Sequence, residues 1–250
     1  MRIWEYLKLQ TCPKIEDGAL FVSDAHYSKN RNSLQNLITQ IEQKRLQPTQ
    51  IFWMGDIFDL AVGGVDETIE ENSAIIDAIN AFTMPQYYFE GNHDFNLKDV
   101  FHNLHVIPRK KQPFLMQLQE KRVALSHGDL FLPKSYSIYI NLITHKTVLF
   151  ILKLLNRRSW ITKKIARYNN SKNLCKKMQQ FDLVAKQRVK EYKKFGADIV
   201  IEGHFHQNYR LYDRDMDLLY LNLPAFICNQ SFFVVKSEDD RLFIEQKLDS

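Results

Sequence analysis

Short apolar runs, each closing on polar residues, punctuate this chain: FVSDAH (21–26), FWMGDIFD (52–59), YYFEGNHD (87–94), VALSHGD (123–129) and IVIEGHFH (199–206). Brief runs rich in aromatic and β-branched residues predict buried strands. Between them the period changes. Leu34, Leu37, Ile38 and Ile41, with Leu46 less regular, recur at helical spacing, and Asn30 to Ser33 offer caps before a stop at Pro48, so a helix is predicted over 33–46. Ile69, Ile75, Ile76, Ile79 and Phe82 predict another near 67–83, after a Gly-containing loop.

Residues 113–126 read as a hairpin, FLMQLQ and RVALS around a charged turn at Glu120 to Arg122. From about 135 to 194 the pattern is helical throughout and contains neither Pro nor Gly. The tail alternates in the β manner through NYRLY, LLYLNL, SFFVV and RLFIEQ, with a turn at Ser237 to Asp240. No internal repeat, low-complexity stretch or flexible linker interrupts it. The order of βαβ units, strands, helices and antiparallel strands predicts an α/β fold of two packed sheets with helices outside. Its expected division is a core of 18–132 and 196–250, a helical insertion at 133–195, and an N-terminal extension, 1–17.

A length of 250 residues with 45% hydrophobic and 25% charged residues fits one elaborated α/β domain and excludes a disordered tail or a fibre. Three distant cysteines, Cys12, Cys175 and Cys228, offer neither a disulfide framework nor a metal knuckle, so a reduced compartment is expected, with Cys175 and Cys228 as buried or partly buried thiols. The segment MRIWEYLKLQ lacks a long apolar stretch, and VLFILKLL (148–155) is broken by Lys153 and too short to span a bilayer. A cytoplasmic location follows as the expectation. The net charge of +5 is unevenly spread: 133–195 holds twelve Lys and four Arg against Asp182 and Glu191, a net +14, which leaves −9 elsewhere.

Strands of one sheet deliver their following loops to a common edge, so the five runs bring Asp24, His26, Asp56, Asn92, His93, His127, His204 and His206 toward one polar site. Carboxylate, imidazole and amide donors together suit Mn²⁺, Fe²⁺, Co²⁺ or Zn²⁺ better than Ca²⁺. So many candidates exceed the needs of one ion and point to two divalent ions sharing a bridging carboxylate. His102 and His105 have ligand-like spacing but lie outside the runs and are expected at the surface, as is His145.

The motifs D-x-H (Asp24, His26), GDxxD (Gly55 to Asp59), GNHD (Gly91 to Asp94), HGD (His127 to Asp129) and GHxH (Gly203 to His206) resemble, in type and order, those of the calcineurin-like binuclear metallophosphoesterases. The resemblance implies a four-layer α/β/β/α sandwich. It also implies that Asp24, His26 and His206 hold one metal, that Asn92, His127 and His204 hold the other, and that Asp56 bridges. Two such cations about 3.5 to 4 Å apart polarise a phosphoryl group and supply hydroxide near neutral pH. His93, paired with Asp94, is the implied catalytic group near the leaving oxygen, and Asp59 orients a ligand histidine.

Lys146, Lys153, Arg157 and Lys164 share one helical stripe of the basic block, while Ile143, Leu149, Phe150, Leu154 and Ile161 crowd other faces. A block of this kind can lie on an anionic membrane surface, and its position between HGD and GHFH predicts a lid over the site. Nucleic acid fits less well, because only Tyr168 and Trp160 stand ready to stack beside the charges. A helical insertion at this point is similar to that of the UDP-2,3-diacylglucosamine hydrolases, which release lipid X and UMP. That similarity implies a nucleotide-linked lipid substrate, peripheral attachment to the cytoplasmic face of the inner membrane, Mn²⁺ as the metal and no obligate protein partner. Substrate contacts are implied for Asn92, His93, Asn170, Ser171 and Lys176. Two features depart from the subgroup: LFLPKS follows HGD, and His93 stands where many members have Arg. The alternatives are a metallophosphoesterase for another nucleotide or phosphoprotein ester, and a catalytically silent membrane-associated scaffold.

Overall fold

The computed structural model describes residues 12–155, 159–238 and 242–248. Two sheets face each other. The first has six strands: β1 (Leu20–Val22), β2 (Ile51–Trp53), β4 (Gln86–Phe89) and β6 (His105–Ile107) run parallel, β12 (Ser231–Val235) pairs antiparallel with β1, and β13 (Phe243–Lys247) pairs antiparallel with β12 at the edge. The second has five: β8 (Lys121–Ser126), β9 (Ile199–Glu202) and β11 (Leu218–Asn222) run parallel, flanked by antiparallel β7 (Phe114–Leu118) and β10 (Tyr209–Asp213). A two-stranded pair of β3 (Ala61–Val62) and β5 (Asp94–Phe95) lies beside them.

The unbroken apolar runs are explained by burial on both strand faces. Leu20, Val22, Ile51 and Trp53 point outward to α1 (Ser33–Glu42) and α3 (Ser73–Ala81), while Phe21 and Phe52 point inward. From the other sheet Val123, Leu125, Ile199 and Ile201 meet them between the sheets, and Ala124 and Val200 face out. The result is the expected α/β/β/α sandwich.

The predicted helix over 67–83 is two helices, α2 (Asp66–Glu70) and α3, because the Asn72 amide donates to Leu60 O and Thr68 O and turns the chain between them. The insertion carries α4 (Lys134–Ile143), α5 (Lys146–Leu155), α6 (Trp160–Asn170) and α7 (Phe181–Lys193). The last corrects the expected lid of 133–195. Phe181, Ala185, Val189 and Tyr192 of α7 pack on Ala124, Val200 and Tyr220, so α7 is the outer layer of the five-stranded sheet. The overhanging part ends before it. Arg157 of the basic stripe lies outside the described residues, as does 1–11 of the extension. Ile15, at the extension's other end, is buried between the sheets and donates to Gln117 O, so it is core.

The cysteine expectation also needs correction. Cys175 and Cys228 are exposed and joined in a disulfide, with Cα atoms 5.6 Å apart, linking the insertion to the short helix α8 (Phe226–Asn229). Their separation of 53 residues hides a convergence that only the fold creates. Among the described residues no helix is long and apolar enough to cross a membrane.

Candidate metal centre

The five motif loops meet at one end of the sandwich, bound to one another by backbone. Asp24 N donates to Gly55 O, His26 N to Asp56 O, and Gly203 N to His127 O. Several ligand candidates leave the strands in the left-handed region: Asp24, His26, Asp56, His204 and His206 have φ of 52°, 43°, 50°, 64° and 60°. For non-glycine residues this conformation costs about 1–3 kcal/mol each, and such outliers gather where function requires them.

Among the described residues three donor groups form; one is His26, Asp59 and His93, and the other two match the expected ligand sets. Asp24, His26 and His206 bring ligand atoms within 4.8 Å of one another, and so do Asp56, His127 and His204. Asn92 Oδ1 joins the second group, 3.3 Å from His127 Nε2. The tautomers are set from behind. His127 Nδ1 lies 3.0 Å from Met54 O and His206 Nδ1 lies 2.6 Å from Leu174 O, so each donates there and turns the Nε2 lone pair inward. Both ring nitrogens of buried His26 lack a hydrogen-bond partner, and buried imidazole does not forgo partners without a reason. This set of carboxylate, imidazole and amide donors fits divalent transition ions.

Electrostatics agree. Burial alone would raise Asp24, but His206 beside it brings it down to about 2. Burial likewise opposes the charge on Asp56, yet His127 and His93 hold it well below the usual carboxylate range. Burial would lower His127, and Asp56, 3.5 Å away, pushes it well above the ordinary imidazole value. His204 is pushed down to about 4 by burial and by His127. Two ionised carboxylates, Asp24 and Asp56, thus stand inside the ligand cluster, each beside an imidazole.

The model of one protein family, calcineurin-like phosphoesterase, matches residues 19–208, a span that contains every ligand just described. The chain belongs to that family. With no ligand type missing, it is a metal-dependent hydrolase of the calcineurin-like phosphoesterases. Curated relatives include the UDP-2,3-diacylglucosamine hydrolases of Histophilus somni (strain 129Pt), 28% identical with 75% of this chain and 83% of that protein covered, and of Neisseria meningitidis serogroup B (strain MC58), 24% identical with 76% and 83% covered. Among solved structures, an archaeal phosphodiesterase is 14% identical with a TM-score of 0.45, covering 92% of this chain and 99% of that one.

Other expected site residues are placed differently. Asp94 does not pair with His93. Its carboxylate accepts from the backbone N–H of Asp56 (3.0 Å), Ile57 (2.6 Å) and Gly91 (2.9 Å) and from Tyr88 Oη (2.6 Å), and so fixes the loop that carries Asp56. Burial and neighbouring Asp56 push it up to about 7, against five donors that favour the carboxylate, the backbone N–H of Phe58 at 3.3 Å being the fifth. His93 instead lies 2.9 Å from Asp59 O through Nδ1, and its backbone N donates to Asp56 Oδ1 at 2.9 Å. The Asp59 side chain stands 3.6 Å from His26 Nδ1 and 3.2 Å from Arg31, the placement expected of an orienting carboxylate.

From the insertion, Asn169 reaches the centre rather than Asn170. Its amide lies 3.0 Å from Asp59 O and 3.2 Å from His93 Nδ1. Asn170 gives its backbone carbonyl to Arg31, Ser171 Oγ closes α6 on Tyr168 O, and Lys176 is exposed. Sequence reasoning also missed Tyr136, whose buried hydroxyl has no partner beside His204, and Arg109, which grips buried Asp129 of HGD. It missed Arg188, which donates to Gly128 O and forms a buried pair with Glu202. The one legible signal was Glu202 itself, a charge closing the buried run IVIE.

A cavity of about 400 Å³ lies between the sandwich and α4 to α6. Asn92, His93 and Asn169 form its polar end, and Val62, Phe95, Ile140, Leu149 and Ile165 line the rest.

Proposed function

We propose that this protein hydrolyses the diphosphate of UDP-2,3-diacylglucosamine to UMP and 2,3-diacylglucosamine 1-phosphate. One observation carries the reading. An apolar cavity opens directly onto His93 and Asn92, so acyl chains held there present a diphosphate to the ligand cluster. The names of the relatives agree with it.

Asp24, His26 and His206 would hold one ion, Asn92, His127 and His204 the other, with Asp56 between. When bound, a pair of Mn²⁺ ions supplies Lewis-acid polarisation and lowers the pKa of water toward about 7. The chain's own work is positional. Asn92 and His93 orient the phosphate that leaves with the lipid, and His93 Nε2, freed by the Nδ1 contact with Asp59 O, meets the developing charge. The covering helices exclude water from the acyl side.

The same helices support a place at a membrane surface. Ile138, Leu142, Phe150, Trp160 and Tyr168 are 68%, 58%, 62%, 57% and 66% exposed, among exposed Lys134, Lys163, Lys164 and Lys172. Exposed apolar groups interspersed with cations suit the surface of an anionic bilayer, which supports peripheral attachment to a membrane. Purified protein with Mn²⁺ should release UMP from this substrate; cleavage of a generic phosphodiester without UMP release overturns the substrate assignment.

A further inference from the structure

A second cavity, of about 250 Å³, borders the centre on a different side. His26 stands in edge contact with two histidines, His93 at 5.0 Å between ring centroids and His206 at 5.5 Å. His93 lines the apolar cavity and His206 lines the second one. A diphosphate lying on the centre therefore has a pocket at either side, each with a different lining. The walls of the second carry an ammonium, Lys177, and two amides, Asn208 and Asn229, over buried Pro224 and Ala225. The Cys175–Cys228 disulfide fastens one wall to the other.

The free hydrogen-bonding capacity of these walls is specific. Lys177 Nζ donates to His206 O at 3.0 Å and Gln207 O at 2.7 Å, which leaves one of its three donors. Asn208 spends its amide nitrogen on Glu245 Oε2 at 2.9 Å and keeps Oδ1 as an acceptor. Asn229 spends Oδ1 on Ser231 Oγ at 2.7 Å and N at 3.3 Å and keeps its amide N–H groups. One acceptor, amide donors and an ammonium complement a pyrimidine edge that offers N3–H between two carbonyls, with ribose hydroxyls for the lysine.

We propose that this cavity, at Lys177, Asn208 and Asn229, holds the uridine of the substrate and of the UMP product, a placement that rests on the nucleotide-lipid reading above. The substrate then lies across the centre, acyl chains under α4 to α6 and base against α8.

The test is calorimetric binding to the full-length Mn²⁺-loaded protein with UMP, ribose 5-phosphate and inorganic phosphate as probes. UMP should bind more tightly than ribose 5-phosphate. Asn208→Ala and Asn229→Ala should each weaken UMP by about tenfold, the scale of one lost hydrogen bond, with inorganic phosphate affinity kept. Equal affinity of wild-type protein for UMP and ribose 5-phosphate overturns the placement without reliance on any variant. UMP affinity unchanged in both variants, in protein that still releases UMP from the lipid substrate, overturns it as well and leaves the substrate reading standing. Absence of UMP release from the lipid substrate overturns both.

Discussion

The side-chain amide of Asn169, on the last turn of an inserted helix, lies 3.2 Å from Nδ1 of His93 on a core loop. It shares the Asp59 carbonyl with that imidazole, and Arg31 holds the same helix end through the carbonyls of Asn169 (3.3 Å) and Asn170 (3.1 Å) while pairing with the Asp59 carboxylate. The inserted helix, the Asp59 carbonyl and His93 are therefore one connected polar assembly.

Asn169→Ala should lower kcat by about tenfold while metal content stays constant, because His93 loses a neighbour that fixes its ring. Arg31→Met should act mainly on KM and speed proteolysis of the insertion. Steady-state kinetics with metal analysis separate the two; unchanged kinetics in Asn169→Ala would remove this residue from the catalytic assembly.

Asp56→Asn should abolish turnover by at least about 100-fold, beyond what loss of an outer partner produces, with the melting transition kept. Its carboxylate is central in charge and position, with His127 3.5 Å away and the His93 backbone donating to it. An active Asp56→Asn enzyme rejects a two-ion centre.

Gly91→Ala should remove metal and activity together. A Cβ there would collide with Asp56 Oδ1, and one at Gly55, where φ is +87°, would collide with His127 Nδ1. Metal content after purification checks this, and a fully loaded Gly91→Ala protein contradicts it.

Metal affinity should fall on acidification. His127, which Asp56 holds above the ordinary imidazole value, binds a proton in the metal-free state, and a ligand imidazole must give that proton up. Binding therefore releases protons and strengthens as pH rises through the value of His127. Calorimetry in buffers of different ionisation enthalpy measures the release. Removal of the ions by chelation should also lower the melting temperature, since ions at about 100 times Kd contribute about 2.7 kcal/mol.

Reduction, or Cys228→Ser, should destabilise the protein by about 2–4 kcal/mol, because the bond closes a loop of 53 residues. Thermal melts with and without a reductant measure it.

The sequence by itself determined which residue types close each strand. A two-sided buried strand must be apolar throughout, so its end is conspicuous, and glycine, aspartate and histidine there announce a polar edge. That made the sandwich, and the candidate ligands Asp24, His26, Asp56, Asn92, His127, His204 and His206 that it brings together, legible in the order of residues alone. The tertiary structure decided everything that depends on distance between loops. It set Gly55 behind His127 and Gly91 behind Asp56, turned Asp94 to the Asp56 loop rather than to His93, and brought Asn169 rather than Asn170 inward. It gave α7 to the core and joined Cys175 to Cys228. The physical reason is that strand burial is a local pattern, written in a few consecutive residues, whereas helix rotation and loop convergence are fixed by packing among residues far apart in the chain.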